Sequence, residues 1–510
     1  MNMRKITLII VFVFYLFTLT AQENKLPVFV NDSLENYINR GMTKWKIPGL
    51  SIAIIKDGEV KYIKGFGVTR EGGTEPVNEN TLFMIGSNTK AFTATTITIL
   101  QVEGKLTLND KVQKWMPEFR LKDSLAGNEI IIADLLSHRI GFETFQGDFT
   151  YWTSNLSRAD VIHKMALIDA TYNFRTNWGY CNAAFLTAGE LIPRITGKSW
   201  EETVKEKILV PLNMNRTLML SNELKTASNA AFPYTIVDGK LLELPIPYID
   251  NLAPAGSISS CAKDMAAWVM MHLNNGKING IQVVPEKAIQ AIRSPYTIMG
   301  MDPRNKQETH FYLYGLGLFI NDRNGKLIYS HTGGVDGFLS SVMFIPEEKV
   351  GIVILTNNDQ NNFYQNLTNE ISDAFLGLPY QDYSDKSFDA FTRELHKSTE
   401  RIDSLKNVVK LLNKPGFPPE SYTGKYTNEV YGDIEIKIEK NILNIHFSNH
   451  PDLIGRLGYL KNDVFLCTYS NPTMGIVEIP FKVDKDKVLG LTLHVADFVE
   501  FTPYIFIKKK

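Results

Sequence analysis

Strand-like runs stand at both ends of a long stretch whose middle is helical, and that arrangement constrains the fold of this 510-residue chain more than any other feature. Leu50-Ser51-Ile52-Ala53-Ile54-Ile55 and Val60-Lys61-Tyr62-Ile63-Lys64-Gly65-Phe66 flank Lys56-Asp57-Gly58-Glu59. Asp-Gly between two such runs is a strong hairpin signal. The pattern then turns helical and loop-rich to about residue 275. Strand-like runs return over 313–320, 326–330 and 339–355, the last broken into a hairpin at Pro346-Glu347-Glu348-Lys349. The fold class expected is α+β: one antiparallel β-sheet closed from both ends of the segment and flanked by helices.

The chain is longer than a typical single domain, and a 44% hydrophobic content is enough to build large cores. Residues 384–413 are polar, with Phe388, Phe391, Leu395, Ile402, Leu405, Val409 and Leu412 near helical spacing, and predict an amphipathic connector helix. Pro415-Gly416-Phe417-Pro418-Pro419 stops it. Short β runs at 433–438, 442–447 and 490–495, separated by turns, then predict a small all-β barrel or sandwich. The division expected is 1–21, 22–378, 379–415 and 416–510.

Residues 1–21 carry Arg4 and Lys5, an apolar run from Ile6 to Leu19 and a small-residue exit at Thr20-Ala21, the layout of a secretory signal peptide. About 14 apolar residues fall short of the roughly 20 that span a bilayer. Export to a periplasmic or extracellular space follows, without integral membrane association after cleavage. Net charge is −1, and removing Arg4 and Lys5 with the leader leaves −3, so neither nucleic acid nor an anionic membrane is indicated as a partner. Cys181, Cys261 and Cys467 are too few and too scattered for a disulfide framework or metal cluster. No H-E-x-x-H, paired C-x-x-C or phosphate-binding glycine loop occurs, so no metal or other cofactor is expected.

Candidate chemistry begins at Ile85-Gly86-Ser87-Asn88-Thr89-Lys90. Ser87 and Lys90, three apart at a helix start, share a face, so the amine can take or relay the serine proton. Unpaired N–H groups at that helix start lie where an oxyanion would form. The following residues to Leu100 are small or apolar, as in a buried helix, and a buried Lys needs a partner or a lowered pKa. Two later segments supply further groups. In Trp178-Gly179-Tyr180-Cys181-Asn182, Tyr180 could share a proton with Lys90 and deliver it to a leaving group, and Asn182 suits a substrate amide. In His331-Thr332-Gly333-Gly334, the glycines let a substrate lie along the backbone with the Gly334 N–H aimed at a carbonyl oxygen, while His331 could contact substrate or position Tyr180.

S-x-x-K, Y-x-N and H-x-G occur in this order, about 90 and 150 residues apart. In this the chain resembles the serine β-lactamase and penicillin-binding-protein superfamily, in its class C-like branch with D-aminopeptidases, D-Ala-D-Ala carboxypeptidases and EstB-type esterases. The likeness spans roughly residues 26–378 and includes Pro48-Gly49-Leu50-Ser51, Leu135-Leu136-Ser137-His138, Pro254-Ala255-Gly256-Ser257 and Tyr314-Gly315-Leu316-Gly317; residues 416–510 resemble an appended lipocalin-like barrel. The resemblance implies that Ser87 is acylated, that Lys90 and Tyr180 share acid/base work, that Asn182, His331 and Gly333 bind substrate, and that the Ser87 and Gly334 N–H groups form the oxyanion hole, with water releasing the acyl group and no cofactor. His331 stands where dedicated β-lactamases usually carry Lys. A group with a reference pKa near 6.5 implies weaker, pH-dependent recognition of a substrate carboxylate. Cys181 reads as packing rather than a second nucleophile. Phe142, Phe145, Phe149, Tyr151 and Trp152 mark a loop that either walls a pocket or packs as a flap. An exported serine hydrolase acting on a small-molecule or peptide amide or ester is the leading expectation, a D-amino-acid peptidase first and a carboxylesterase second. A slowly deacylating or inert module whose barrel binds an apolar ligand is the alternative from another class.

Overall fold

A computed structural model describes residues 26–300, 309–411, 415–485 and 487–510; the leader predicted over 1–21 lies outside the described residues. The main sheet has eight antiparallel strands: β1 (Gly49–Lys56), β2 (Glu59–Gly67), β3 (Thr297–Gly300), β4 (Tyr312–Tyr314), β5 (Phe319–Arg323), β6 (Lys326–Val335), β7 (Phe338–Ile345) and β8 (Val350–Thr356). Their order is β2-β1-β8-β7-β6-β5-β4-β3. The sheet is closed from both ends of its segment where β1 pairs with β8, from Leu50 opposite Thr356 to Lys56 opposite Val350. The β1–β2 hairpin turns through Asp57 (φ 54°) and Gly58 (φ 80°), the positive-φ pair that a two-residue hairpin favours.

β1 is buried from Gly49 to Ile55, as a strand with two covered faces is, and its side chains alternate between the two layers. Leu50, Ile52 and Ile54 pack with helix α1 (Leu34–Trp45) and with the Phe363, Leu367 and Ile371 side of a helix near the end of the segment. Ala53 and Ile55 join the central core on the other face. That core contains helix α2 (Thr89–Val102), buried from Thr89 through Leu100, together with α3 (Asn182–Thr196) and α4 (Ala262–Leu273). Phe92 of α2 stacks on Trp268 of α4 with ring centroids 4.0 Å apart. The covering helix on the other face is α5 (Phe363–Phe375).

The strand expected over 313–320 is two strands. Gly315 and Gly317 (φ 75°) turn the chain between β4 and β5, and a Cβ on Gly317 would lie 2.9 Å from the Lys90 carbonyl oxygen. The turn therefore serves a close approach to α2 that no side chain would permit. The connector is α6 (Tyr383–Lys410), whose Phe388 and Phe391 pack on Trp45 of α1 at centroid distances of 5.0 and 5.1 Å.

Beyond it a closed barrel runs β9 (Gly424–Asn428), β10 (Gly432–Glu439), β11 (Ile442–Phe447), β12 (His450–Lys461), β13 (Val464–Tyr469), β14 (Ile476–Asp484), β15 (Lys487–Leu493) and β16 (Tyr504–Lys508), with β16 paired back to β9. Of the two expected forms, barrel and sandwich, the barrel is observed. Its core holds Tyr422, Tyr426, Tyr431, Phe447, Phe465, Phe481 and Phe506, filling the interior with aromatic rings, as a small barrel does. One more ring comes from outside. Phe149, in the aromatic loop of the larger domain, is fully buried in the barrel core, stacked on Tyr431 (5.1 Å) and His450 (5.1 Å). The loop is thus the joint between the two bodies. Phe149→Ala should lower stability by about 3–5 kcal/mol and loosen the barrel first, read as a separate early transition in urea unfolding followed by barrel tryptic cleavage.

Candidate active site

Strand β6, the turn before α2 and the start of α3 meet at one point of the central core. Gly86 has φ 52°, and a Cβ there would lie 2.8 Å from the Gly334 nitrogen; one on Gly333 would lie 1.8 Å from the Ile85 carbonyl oxygen. Both glycines allow strand and turn to touch, which brings the Gly334 backbone against the Gly86-Ser87 peptide. Asn88 Nδ2 donates to Ser340 Oγ (2.8 Å), which in turn donates to the Ile85 carbonyl (2.8 Å), tying the turn to β7.

Ser87 is half-buried at the head of α2, and the Lys90 amine lies 3.0 Å from its Oγ. Lys90 is fully buried and has two other neighbours, Asn182 Oδ1 at 2.7 Å and the Ala255 carbonyl at 2.8 Å. Those two can only accept. A neutral amine directs its two N–H groups at them and leaves its lone pair facing Ser87. Burial pushes Lys90 down to about 7, with Asp148 opposing the shift, so the neutral form is accessible near physiological pH.

Tyr180 is buried beside this amine, its ring centroid 4.7 Å from Nζ. Burial pushes its phenol up, and a hydrogen bond with Ser87 offsets part of that. Tyr180 is therefore a phenol at neutral pH. His138, which sequence reasoning treated only as part of a motif, stacks on Tyr180 at 4.2 Å and accepts the Cys181 N–H at 3.0 Å through Nδ1. Burial pushes the Cys181 thiol up to about 12, in keeping with a packing role.

Two expected substrate contacts are differently engaged. Asn182 has both ends of its amide taken, Oδ1 by Lys90 and Nδ2 by Asp148 Oδ2 at 2.6 Å. Its role here is to hold the lysine. His331 is 2% exposed; its Nδ1 donates to the Thr332 carbonyl (2.6 Å) and its Nε2 accepts from the Tyr314 hydroxyl (3.0 Å). Burial and Lys90 lower its pKa to about 3, so the expected pH-dependent carboxylate contact gives way to a neutral ring that packs Tyr314 and Phe319 beside Tyr180. Gly333 likewise faces Ile85 rather than open space. Tyr314 entered sequence reasoning only as part of a motif, and Asp148 was missed because nothing in its local sequence differs from an ordinary loop residue.

Ser87 opens on a narrow cleft of about 10 Å³, lined by Trp152, Asn182, Ile249, Leu252, Ala255, Gly256, Gly334 and Val335. Among the described residues that line it there is no Lys or Arg. Among the described residues no group of His, Cys, Asp and Glu is arranged to hold a metal ion.

The Beta-lactamase family model matches residues 34–374, about two-thirds of the chain and the whole of this site. The chain belongs to the Beta-lactamase family. A second model, described as a domain of unknown function, DUF3471, matches 413–506. The chain is 27% identical over 426 residues to Unguisins hydrolase ungD' of Aspergillus campestris, covering 80% of this chain and 78% of that protein. It is 25% identical over 351 residues to penicillin-binding protein 4 of Amycolatopsis lactamdurans, covering 66% and 88%. An octameric penicillin-binding protein homologue from Pyrococcus abyssi shares the fold at a TM-score of 0.59 and 24% identity, over 93% of this chain and 99% of that one. This β-lactamase-family chain is thereby a hydrolase built on an antiparallel sheet with a closed barrel appended. No helix among the described residues is long and apolar enough to cross a membrane.

The lysine environment sets a pH dependence. A reaction at Ser87 Oγ that hands its proton to Lys90 requires the neutral amine, so its rate should rise with pH through about 7 and then level off. Lys90→Arg, charged at every accessible pH, should lower the plateau by two orders of magnitude or more, on the order of a general-base contribution. Rates of serine phosphonylation between pH 5 and 9 check both.

Proposed function

We propose that this protein is an exported serine hydrolase that cleaves an amide or ester through an acyl-enzyme on Ser87. The observation that carries the reading is the Lys90 amine at 3.0 Å from Ser87 Oγ, with its two other contacts both acceptors. Lys90 takes the serine proton as the bond to the substrate carbonyl carbon forms, and the Ser87 and Gly334 N–H groups face the oxygen that gains charge. Tyr180 gives a proton to the departing amine or alkoxide and takes the serine proton from Lys90, which leaves the lysine neutral again. Water then attacks the acyl carbon, its proton passing to the same lysine and from there to the Ser87 oxygen as the acyl bond breaks.

The lining of the cleft bears on substrate. With no cation on its walls and a neutral His331, it offers nothing to pair a carboxylate beside the scissile bond. This favours an amide or ester inside a longer, apolar-flanked molecule over a terminal D-amino acid or a β-lactam. Peptide amides, D-configured residues among them, come first, supported by the likeness to a penicillin-binding protein; the small apolar cleft supports simple esters as the second reading. The basic, apolar and small-residue order of residues 1–21 supports export, and 22–378, 379–415 and 416–510 are proposed as hydrolase domain, linker and barrel domain.

Ser87→Ala should abolish fluorophosphonate labelling and hydrolysis of p-nitrophenyl esters and D-amino-acid amides together; labelling that persists would overturn the nucleophile assignment. Tyr180→Phe should keep labelling within about tenfold, since phosphonylation expels a good leaving group, yet lower turnover of an unactivated amide by about a hundredfold or more. Equal losses on both substrates would argue against a donor role. Among substrates, capped peptide amides should outrun those ending in a free carboxylate, measured as kcat/KM.

A further inference from the structure

The lysine's geometry depends on the orientation of one amide, and that orientation is imposed from outside the sheet domain. Asn182 presents Oδ1 to Lys90 because its Nδ2 is held by Asp148 Oδ2 at 2.6 Å. Were the amide turned over, its NH2 would meet the amine and compete with Ser87 for the lone pair. Asp148 is buried, and its other oxygen has no hydrogen-bond partner among the described residues. It sits in a turn begun by Gly147 at φ 93°, where the Asp148 N–H donates to the Phe145 carbonyl at 2.9 Å and the Phe145 N–H to the Tyr180 carbonyl at 2.8 Å. One turn thus carries the residue that orients Asn182 and a backbone bond to the segment bearing Tyr180.

The barrel grips that turn. Glu500, 3% exposed, accepts the Gly147 N–H at 2.7 Å and the Phe149 N–H at 2.9 Å, one residue to either side of Asp148. The Tyr504 hydroxyl donates to Glu500 at 2.7 Å and lies 3.0 Å from Thr150 Oγ1, while Thr502 also donates to Glu500. Phe501 stacks on Phe145 at 5.9 Å, and Phe145 meets the Tyr180 ring at 5.6 Å. A carboxylate accepting two flanking N–H groups fixes both peptide planes at once, which a hydrophobic contact would not do.

We propose that Glu500 of the barrel and Asp148 are positioning residues for the hydrolase reaction, holding Asn182 so that the Lys90 lone pair faces Ser87. This rests on the serine-hydrolase reading above. Neither residue touches substrate. Glu500 fixes the 147–149 turn, the turn places Asp148, and Asp148 sets the amide. The ionisable groups around the turn include Lys90, Tyr180, Cys181, Tyr151, Tyr504 and the two carboxyls themselves, with His450 and Tyr431 of the barrel stacked on Phe149 and with His138 and His331 near the amine. Burial raises both carboxyls, Glu500 to about 7. Asp148 also favours a charged Lys90, so its loss lowers the amine's pKa.

The test uses full-length protein: fluorophosphonate labelling of wild type, Glu500→Ala, Glu500→Gln and Asp148→Ala from pH 5 to 9, with labelled stoichiometry giving the competent fraction. For Glu500→Ala and Asp148→Ala the plateau rate per competent site should fall tenfold or more, and in Asp148→Ala the midpoint should also move to lower pH. Glu500→Gln, which keeps an acceptor oxygen, should recover at least a third of the wild-type plateau. A wild-type plateau rate in either alanine variant would overturn the proposal. So would a reduced stoichiometry with unchanged rate and midpoint, which marks a purely structural role. If wild type labels and Ser87→Ala does not, such a failure touches the positioning alone; if Ser87→Ala still labels, the serine reading has failed and the positioning falls with it.

Discussion

A lysine shut away from water is stable as a cation only if acceptors surround it, and is basic near neutrality only if they do not hold the charge too well. Lys90 meets both conditions with two acceptors and a serine. Much of the central core exists to keep those acceptors in place. Helix α2 can be buried almost throughout because Thr93 Oγ1 donates to the Pro254 carbonyl at 2.7 Å, Trp200 Nε1 donates to Thr93 Oγ1 at 2.9 Å, and the Thr96 and Thr98 hydroxyls donate to helix carbonyls, so most of its hydroxyls are paired inside, Thr95 excepted. The same contacts fix the 253–256 turn, whose Ala255 carbonyl is one of the two acceptors. Gly317, Gly333 and Gly86 let the sheet approach the helix start at backbone distance.

Burial then sorts the groups around Ser87 by sign. It raises the acids Tyr180, Cys181 and Asp148 and lowers the bases Lys90, His138 and His331. The result is a cluster near electrical neutrality in which the histidines are too weak as bases and the phenol too weak as an acid to ionise. Lys90 is left within reach of pH 7, with Asp148 opposing the effect of burial on it. A neutral His331 therefore adds no cation to this cluster.

Residues that carry chemistry by type and spacing were legible in the chain: Ser87 and Lys90 on one helical face, Tyr180 and Asn182 at the entry to α3, the glycines of β6. So was the sheet, since Asp57-Gly58 and the alternation of Leu50, Ile52 and Ile54 are local signals. What escaped was decided by contacts between distant segments. Asp148 and Glu500 meet across more than 350 residues of chain, and neither is flagged by its neighbours in sequence. Phe149 was visible only as one aromatic among five in a loop, because the rings it stacks on lie in another domain. The 313–320 run reads as one strand since its glycines show their purpose only where α2 comes close.

The connector helix explains how a barrel can act on a site in another domain. A 28-residue helix spans about 40 Å, and α6 is held at both ends. Trp45 Nε1 donates to Ser384 Oγ at 3.0 Å near its start, and near its end Val409 packs where a Cβ on Gly458 of β12 would come within 2.5 Å of Val409 Cγ1. Between them Arg401 pairs with Glu478 of β14. A strut fixed in this way limits the barrel to a narrow set of placements, and the loop between Gly147 and Trp152 selects among them. Phe149 enters the barrel core, the His450 ring donates to the Trp152 carbonyl at 2.8 Å, and Asp336, next to β6, accepts from both Trp152 Nε1 at 2.9 Å and Thr473 of the barrel at 3.0 Å. Trp152 also lines the cleft above Ser87. The joint between the domains and the wall of the site are therefore the same few residues, so the barrel cannot shift without moving the surface a substrate would meet.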